Sequence, residues 1–217
     1  MDKMPDIIII EDHPVMRNGL EYYFTETRRW KVLGAVSGIE DAKTLFSSLC
    51  GKSTAAADVL LIDIQMENGW GLDIIPWLKK QTSASSGEVS GGGFKMPILA
   101  VYSAFDDFAH VSAALSMGVR GYICKRRSEC ELENALFKIL EGKTYIDSSA
   151  QAKLETNANL ISLLTKRETE ILTLVKNNFS NSQIASHLGI SRRTVENILC
   201  CVYDKTGIRS RLELQKL

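Results

Sequence analysis

One stretch of this chain, Val59-Leu60-Leu61-Ile62-Asp63, restricts its possible folds more than any other. Four consecutive aliphatic residues without alternation predict a strand that is buried on both faces, as in the centre of a parallel sheet. Asp63 then stands at the carboxyl end of that strand, where open α/β sheets bind their ligands. An acid at this place has a structural alternative as the cap of the next turn. A second apolar run, residues 7–10, also leads directly into acids, Glu11 and Asp12, and this repetition favours a functional role.

The composition predicts a soluble globular protein whose two ends bind different partners. The chain has 217 residues, 45% of them hydrophobic and 24% charged, which suits one large or two small domains. Residues 1–159 carry 17 Lys and Arg against 21 Asp and Glu, whereas residues 160–217 carry 9 against 5. An acidic amino-terminal part and a basic carboxyl-terminal part therefore predict different partners.

The cysteines and the apolar runs bear on location. The chain has five cysteines without metal-ligand spacing and no signal-peptide pattern, which predicts reduced thiols in the cytoplasm. No apolar run approaches the roughly 20 residues that a membrane span needs, so no membrane association is expected.

The first 141 residues alternate between short apolar runs and helical patterns. Strands are predicted at residues 7–11, 31–36, 59–63, 98–103 and 121–125, each followed by a helix, of which the third is predicted at residues 72–80. This alternation indicates βαβ units, and we expect an α/β flavodoxin-like domain with a parallel sheet of strand order 2-1-3-4-5. The Gly/Ser-rich segment 82–93 interrupts the rhythm and is predicted to be a mobile loop, because its side chains cannot bury enough surface to offset the entropy lost on ordering. A phosphate-binding glycine loop is disfavoured because no Gly-Lys-Ser/Thr follows.

Such a sheet brings the ends of strands 1, 3, 4 and 5 together. The gathered side chains are Glu11, Asp12, Asp63, Ser103 and Lys125. Three neighbouring carboxylates repel one another unless a cation joins them, and hard oxygen ligands favour Mg²⁺. With the metal present, Asp63 is a candidate nucleophile for a phosphoryl group, which Lys125 and Ser103 are placed to stabilise.

These five residues, in this order at strand ends, resemble the receiver domain of two-component response regulators over about residues 6–141. The resemblance implies that Asp63 is the phosphoacceptor and that the backbone carbonyl of Gln65 joins Glu11, Asp12 and Asp63 as a metal ligand. Gly71 stands eight residues after Asp63, as in the family, and Tyr122 occupies the place of the aromatic rotamer switch. Two residues depart from the family. Glu67 stands where receivers usually have proline, and Arg126 stands where many receivers carry proline.

The carboxyl-terminal part predicts a second, all-α domain. Thr165 and Glu168 form a capping-box pattern before a helix, and Leu188-Gly189-Ile190-Ser191 joins two further helices as a helix-turn-helix. The predicted boundaries are a receiver domain at 1–141, a polar linker at 142–160, with a helical turn or more near 149–156, and a DNA-binding domain at 161–217. A helical bundle that binds only protein is the structural alternative.

Thr165-Lys166-Arg167-Glu168, Ser180-Asn181-Ser182-Gln183-Ile184-Ala185, Thr194-Val195 and Lys205-Thr206-Gly207 resemble the LuxR-type DNA-binding domain. Combined with a receiver, this resembles the NarL/FixJ class of response regulators. In the last of these helices the apolar stripe of Val195, Ile198, Leu199 and Val202 is expected to face the core. The outward face presents the candidate DNA contacts, namely Arg192, Arg193, Thr194, Glu196, Asn197, Cys200 and Lys205. Arg192 or Arg193 is expected on a phosphate or a guanine, and Asn197 on an adenine. Glu196 and Ile198 depart from the common lysine and histidine of the family.

The predicted function is a DNA-binding transcriptional regulator that a sensor histidine kinase switches by phosphorylating Asp63, with Mg²⁺ as cofactor. Such a chain is not an enzyme beyond its own phosphoryl transfer and dephosphorylation, and we expect a homodimer in the active state. A phosphohydrolase with an aspartyl-phosphate intermediate is disfavoured because Asp63-Ile64-Gln65 lacks the second Asp of that pattern. A dinucleotide-binding domain is disfavoured because no glycine fingerprint follows strand 1. A receiver that works without phosphorylation stays open.

Overall fold

The structure is a computed structural model that describes residues 3–50, 57–67, 69–84 and 94–216. The chain divides into two compact units. The first holds the residues up to Asp106 together with Ala113–Asp147, and the second holds Asp107–Ser112 and Ser148–Leu217. Each unit is described separately below.

The first unit contains a six-stranded parallel sheet in the order β2-β1-β3-β6-β7-β8. The strands of the chain are β1 (Asp6–Ile10), β2 (Lys31–Val36), β3 (Val59–Ile62), β4 (Gln65–Met66), β5 (Gly69–Trp70), β6 (Ile98–Ser103), β7 (Gly121–Cys124) and β8 (Tyr145–Ile146). Every residue of β1 and β3 is buried, as the unalternating aliphatic runs predicted. The first five positions of the order confirm the flavodoxin-like prediction, and β8 adds a short sixth strand at one edge.

The helices that follow the strands are α1 (Pro14–Glu26), α2 (Ile39–Cys50), α3 (Ile74–Ala84), α4 (Phe108–Ser116) and α5 (Glu129–Leu140). Pro14 occupies the start of α1, where its missing N–H costs nothing. Ser128 and Glu131 form a capping box at the start of α5. Buried Glu133 of α5 accepts hydrogen bonds from the Trp30 indole at 3.1 Å and from Arg29 at 2.7 Å, which ties α5 to the segment before β2.

Three parts of the first 147 residues differ from the sequence-based expectation. The third helix runs four residues further than predicted, so it includes the start of the Gly/Ser-rich segment, whose residues 85–93 lie outside the described part of the chain. A two-stranded antiparallel hairpin, β4–β5, follows the phosphoacceptor candidate. The stretch expected as linker begins with β8, which pairs with β7.

The second unit is helical, with α6 (Ser148–Ser162), α7 (Lys166–Lys176), α8 (Asn181–Leu188), α9 (Arg192–Thr206) and α10 (Arg211–Lys216). Capping boxes at Thr165 and Ser180 begin α7 and α8, and Ser191 caps α9. Gly189 ends α8 in the left-handed conformation at φ 64°, which turns the chain into α9. The core consists of aliphatic side chains of α7, α8, α9 and α10: Ile171, Leu172, Val175, Ile184, Val195, Leu199, Val202 and Leu214. The predicted helix-turn-helix is therefore present as α8 and α9.

Candidate functional site

The acidic site of the first unit lies where β1 and β3 end. Glu11 and Asp12 follow β1, and Asp63 follows β3. These two strands pair in parallel, so the three acids lie at the same edge of the sheet. Carboxylate oxygens of the three residues all lie within 4.8 Å of one another. Glu11 is 1% exposed and Asp63 is 7% exposed, so this negative charge is held largely away from water.

Lys125, directly after β7, links two of the acids. Its Nζ donates to Glu11 Oε2 at 2.7 Å and to Asp63 Oδ2 at 2.8 Å. Burial raises the pKa of Glu11, and the hydrogen bond from Lys125 opposes that rise only in part, while the Asp63 charge adds to it. Burial lowers the pKa of Lys125, but its hydrogen bonds to Asp63 and Glu11 outweigh burial, so this pKa lies above its usual value. The ammonium group therefore stays charged between the two carboxylates.

The backbone around the acidic pair is fixed from α1. Arg17 Nη1 donates to the carbonyl oxygens of Glu11 at 3.0 Å and Asp12 at 3.1 Å. The amide of His13 donates to Glu11 Oε1 at 3.2 Å. His13 thus contacts the pair through its backbone, which agrees with a structural role for this residue.

The loop after Asp63 approaches its backbone closely at Gly71. The amide of Gly71 donates to the carbonyl of Ile64 at 2.7 Å. A Cβ atom at residue 71 would lie 1.8 Å from the carbonyl oxygen of Asp63 and 2.8 Å from Ile62 Cγ2. Only glycine fits this position, and it brings the β4–β5 hairpin over the strand end.

Ser103 and Tyr122 meet on the backbone of Phe105. The Ser103 hydroxyl accepts the amide N–H of Phe105 at 3.1 Å, and the Tyr122 hydroxyl donates to the carbonyl of Phe105 at 2.8 Å. Both side chains are fully buried, and the amide of Lys125 donates to the carbonyl of Ser103 at 2.7 Å. The residues assigned to phosphoryl stabilisation and switching are therefore joined through one peptide segment, with Tyr122 already inside the unit.

The donor set fits a hard divalent cation. Three carboxylates within 4.8 Å supply oxygen ligands of the kind that Mg²⁺ prefers, and the one positive charge of Lys125, which contacts Glu11 and Asp63, balances only part of their negative charge. Gln65, whose carbonyl the resemblance adds to this set, lies in β4 two residues after Asp63, and its amide approaches Asp63 Oδ1 at 3.3 Å.

Two family models match this chain. A family model for the response regulator receiver domain matches residues 7–137, more than half of the chain. The chain belongs to the response regulator family. A second model, for the luxR family of bacterial regulatory proteins, matches residues 162–217 of this response regulator. Together they confirm a receiver joined to a LuxR-type DNA-binding domain, a regulator rather than a classical enzyme.

Relatives match nearly the whole length of this response regulator. The response regulator protein VraR of Staphylococcus epidermidis is 26% identical over 211 residues, which cover 95% of this chain and 92% of that protein. The oxygen regulatory protein NreC of Staphylococcus aureus is 25% identical over 221 residues, which cover 96% of this chain and 94% of that protein. A solved RcsB–DNA complex has a TM-score of 0.68 at 21% identity, with 98% of this chain and 96% of that chain covered. A structure of two RcsB dimers bound to two parallel DNAs has a TM-score of 0.66 at 24% sequence identity, with 98% of this chain and 97% of that chain covered.

Helix α9 of the response regulator carries the candidate DNA contacts. Val195, Leu199 and Val202 point into the core, and Ile198 is partly buried beside them. The predicted outward set is exposed throughout: Arg192, Arg193, Thr194, Glu196, Asn197, Cys200 and Lys205. The Nε of Arg192 donates to Glu196 Oε1 at 2.8 Å, a pair that the four-residue spacing allows on one helix face.

Lys205 has a contact that the sequence did not reveal. Its Nζ donates to Glu168 Oε2 at 2.7 Å, although the two residues are 37 positions apart. The same Glu168 oxygen accepts the amide N–H of Thr165 at 2.7 Å in the capping box. The hydrogen bond from Lys205 and that from the Thr165 amide lower the pKa of Glu168 to about 2. Lys205 therefore fastens α9 to the start of α7.

Within the described ranges, no helix of this response regulator has the length and apolar character that crossing a membrane requires.

Proposed function

We propose that Asp63 of this response regulator accepts a phosphoryl group from a sensor histidine kinase, and that this modification controls its binding to double-stranded DNA. The observation that carries the proposal is the double contact of Lys125 with Asp63 and Glu11 beside Asp12. A cation that already donates to a buried carboxylate can also stabilise the negative charge of a phosphoryl group added to that carboxylate. The proposal also takes residues 1–141 as the receiver, 142–160 as the linker and 161–217 as the DNA-binding domain.

In the transfer step, a carboxylate oxygen of Asp63 forms a bond to phosphorus as the bond from phosphorus to the histidine ring nitrogen breaks. The electron pair of the broken bond stays on that nitrogen. In this proposal Lys125 Nζ, 2.8 Å from Asp63, donates to an oxygen of the transferred group, and the Ser103 hydroxyl turns to donate to another. Glu11, Asp12, Asp63 and the Gln65 carbonyl would hold Mg²⁺, which when bound neutralises negative charge on the phosphoryl oxygens.

The proposed switch uses the backbone of Phe105, whose N–H contacts Ser103 and whose carbonyl contacts Tyr122. If Ser103 turns its hydroxyl from the Phe105 amide to a phosphoryl oxygen, it releases its hydrogen bond to that residue. Tyr122, bonded to the carbonyl of the same residue, then responds to the change. We propose a homodimer as the active form in the cytoplasm, supported by the structure of RcsB dimers on DNA.

Phosphoryl labelling followed by intact-protein mass spectrometry tests the assignment. The natural chain, incubated with acetyl phosphate and Mg²⁺, should gain the mass of one phosphoryl group, and Asp63→Asn should gain none. Asp73→Asn is the matched control, because Asp73 is an exposed acid that follows Gly71 and directly precedes α3. Labelling of Asp63→Asn at a rate comparable with the natural chain would reject Asp63 as the phosphoacceptor.

A further inference from the structure

The β4–β5 hairpin contacts the acidic pair through its backbone. The amide N–H of Glu67, next to β4, donates to Asp12 Oδ2 at 2.5 Å. Lys125 donates to Glu11 and Asp63, so Asp12 receives its hydrogen bond from a different part of the fold than the other two acids. The donor is the backbone N–H of residue 67, which every amino acid except proline provides.

Residue 67 is where this chain departs from the usual receiver sequence, which has proline after Met66. Proline has no N–H and cannot make the bond to Asp12. Glu67 is not in the left-handed region that would exclude proline, because the positive-φ non-glycine residues of the described chain are Arg28 and Asn178. Met66 lies in a strand, the conformation that proline favours in the residue before it. A proline substitution at residue 67 therefore removes the donor, and neither of these two backbone features opposes it.

The fold fixes the Glu67 amide independently of Asp12. Gln65 pairs with Trp70 and Met66 with Gly69 in the hairpin. The Gly71 amide anchors the far end of the hairpin on the Ile64 carbonyl, and the Gln65 amide approaches Asp63 at the near end. The amide thus meets the Asp12 carboxylate from a scaffold that is already in place.

A carboxylate with one oxygen bound to a fixed amide keeps its other oxygen in one orientation. Carboxylates that ligate metals are commonly held this way by a second group, and loss of that group lowers metal affinity by about 10-fold to 100-fold. We infer that the backbone amide of Glu67 positions Asp12 for the divalent cation, so that cation binding and the β4–β5 hairpin are coupled. The inference rests on the proposed function, since it concerns the Mg²⁺ site assigned there.

Titration calorimetry of the full chain with MgCl₂ tests the inference with three proteins. Glu67→Pro, which removes the N–H, should raise the dissociation constant for Mg²⁺ by about 10-fold. Glu67→Ala keeps the N–H and removes only the exposed carboxylate, so its dissociation constant should stay within about threefold of the natural value. Equal Mg²⁺ affinity of Glu67→Pro and Glu67→Ala would overturn the inference while leaving the metal site intact. Failure of the natural chain to bind Mg²⁺ would reject the site itself and the inference with it.

A second measurement on the natural chain does not depend on the folding of Glu67→Pro. In protein labelled with ¹⁵N-glutamate, addition of Mg²⁺ should slow the hydrogen exchange of the Glu67 amide several-fold, because the cation fixes its acceptor. The amide of Glu170, on an exposed face of α7, is the internal control and should not respond. Unchanged or faster exchange at Glu67 under saturating Mg²⁺ would contradict the coupling.

Discussion

At the scale of single residues, the loop after the phosphoacceptor candidate depends on the missing side chain of Gly71. The requirement comes from close approach, because a Cβ atom there would overlap the Asp63 carbonyl oxygen. That carbonyl belongs to the strand end that carries the nucleophile, so relief of the overlap would displace either the hairpin or Asp63.

Gly71→Ala should therefore destabilise the first unit by about 3 kcal/mol, the upper range for overpacking of a filled site, and slow phosphoryl labelling. Gly19→Ala is the matched control. Gly19 lies in α1 with no atom within 4 Å of an added Cβ, so alanine there should stabilise by about 0.5–1 kcal/mol. Urea unfolding followed by tryptophan fluorescence reports on the first unit, which holds Trp30, Trp70 and Trp77. A Gly71→Ala protein as stable as the natural chain would show that the loop adapts without cost.

At the scale of secondary-structure elements, the contact between α7 and α9 makes the second unit sensitive to acid. The folded pKa of Glu168, about 2, lies below its ordinary value of 4.5, because Lys205 and the Thr165 amide favour the ionised form. The stabilisation from the carboxylate is complete above about pH 4.5 and is lost as the pH falls towards 2.

Hydrogen exchange of α7 and α9, corrected for intrinsic rates, should show this dependence. Glu168→Gln should exchange faster than the natural chain at pH 5, and the difference should shrink as the pH is lowered towards 2. Glu170→Gln, an exposed glutamate of the same helix, should match the natural chain throughout. A difference between Glu168→Gln and the natural chain that is independent of pH would show that charge is not the cause.

Helix α9 offers a second test at this scale, through the Arg192–Glu196 pair. If Glu196 accepts a hydrogen bond from a cytosine amino group, Glu196→Lys should change the base preferred at one position of each half-site, by about 1–3 kcal/mol. Selection from a random DNA library measures this preference. Glu170→Lys makes the same charge change on α7 and should leave the preference unaltered. A uniform gain in affinity across all sequences, with unchanged preference, would place Glu196 near a phosphate instead.

At the scale of the whole molecule, the sequence predicted the features that depend on apolar runs and stripes, namely the buried strands and the exposed face of α9. The unalternating runs before Glu11 and Asp63 predicted adjacent buried strands, and parallel pairing then placed their acids within 4.8 Å. The stripe of Val195, Leu199 and Val202 predicted which face of α9 is exposed.

Features that depend on two-residue strands or distant pairs were missed. The strands β4, β5 and β8 are two residues long, too short for any periodicity to mark them. The fifteen-residue helix α6 was predicted only in part, as a helical turn or more near residues 149–156, because its polar sequence has only weak helical patterning. The contacts of Lys205 with Glu168 and of Glu67 with Asp12 join residues 37 and 55 positions apart, which only the tertiary fold brings together.

The central claim, that phosphorylation at Asp63 controls DNA binding, is tested most directly by sequencing the genomic fragments that the purified chain retains, with and without acetyl phosphate. For the natural chain, the donor should increase recovery of fragments that carry two half-sites about one helical turn apart. The same fragments should be released steeply by salt, since residues 160–217 carry 9 Lys and Arg against 5 Asp and Glu. Asp63→Asn should show no response to the donor, and Asp73→Asn should respond as the natural chain does. An equal response of Asp63→Asn, or no response of the natural chain despite stoichiometric labelling, would contradict the account.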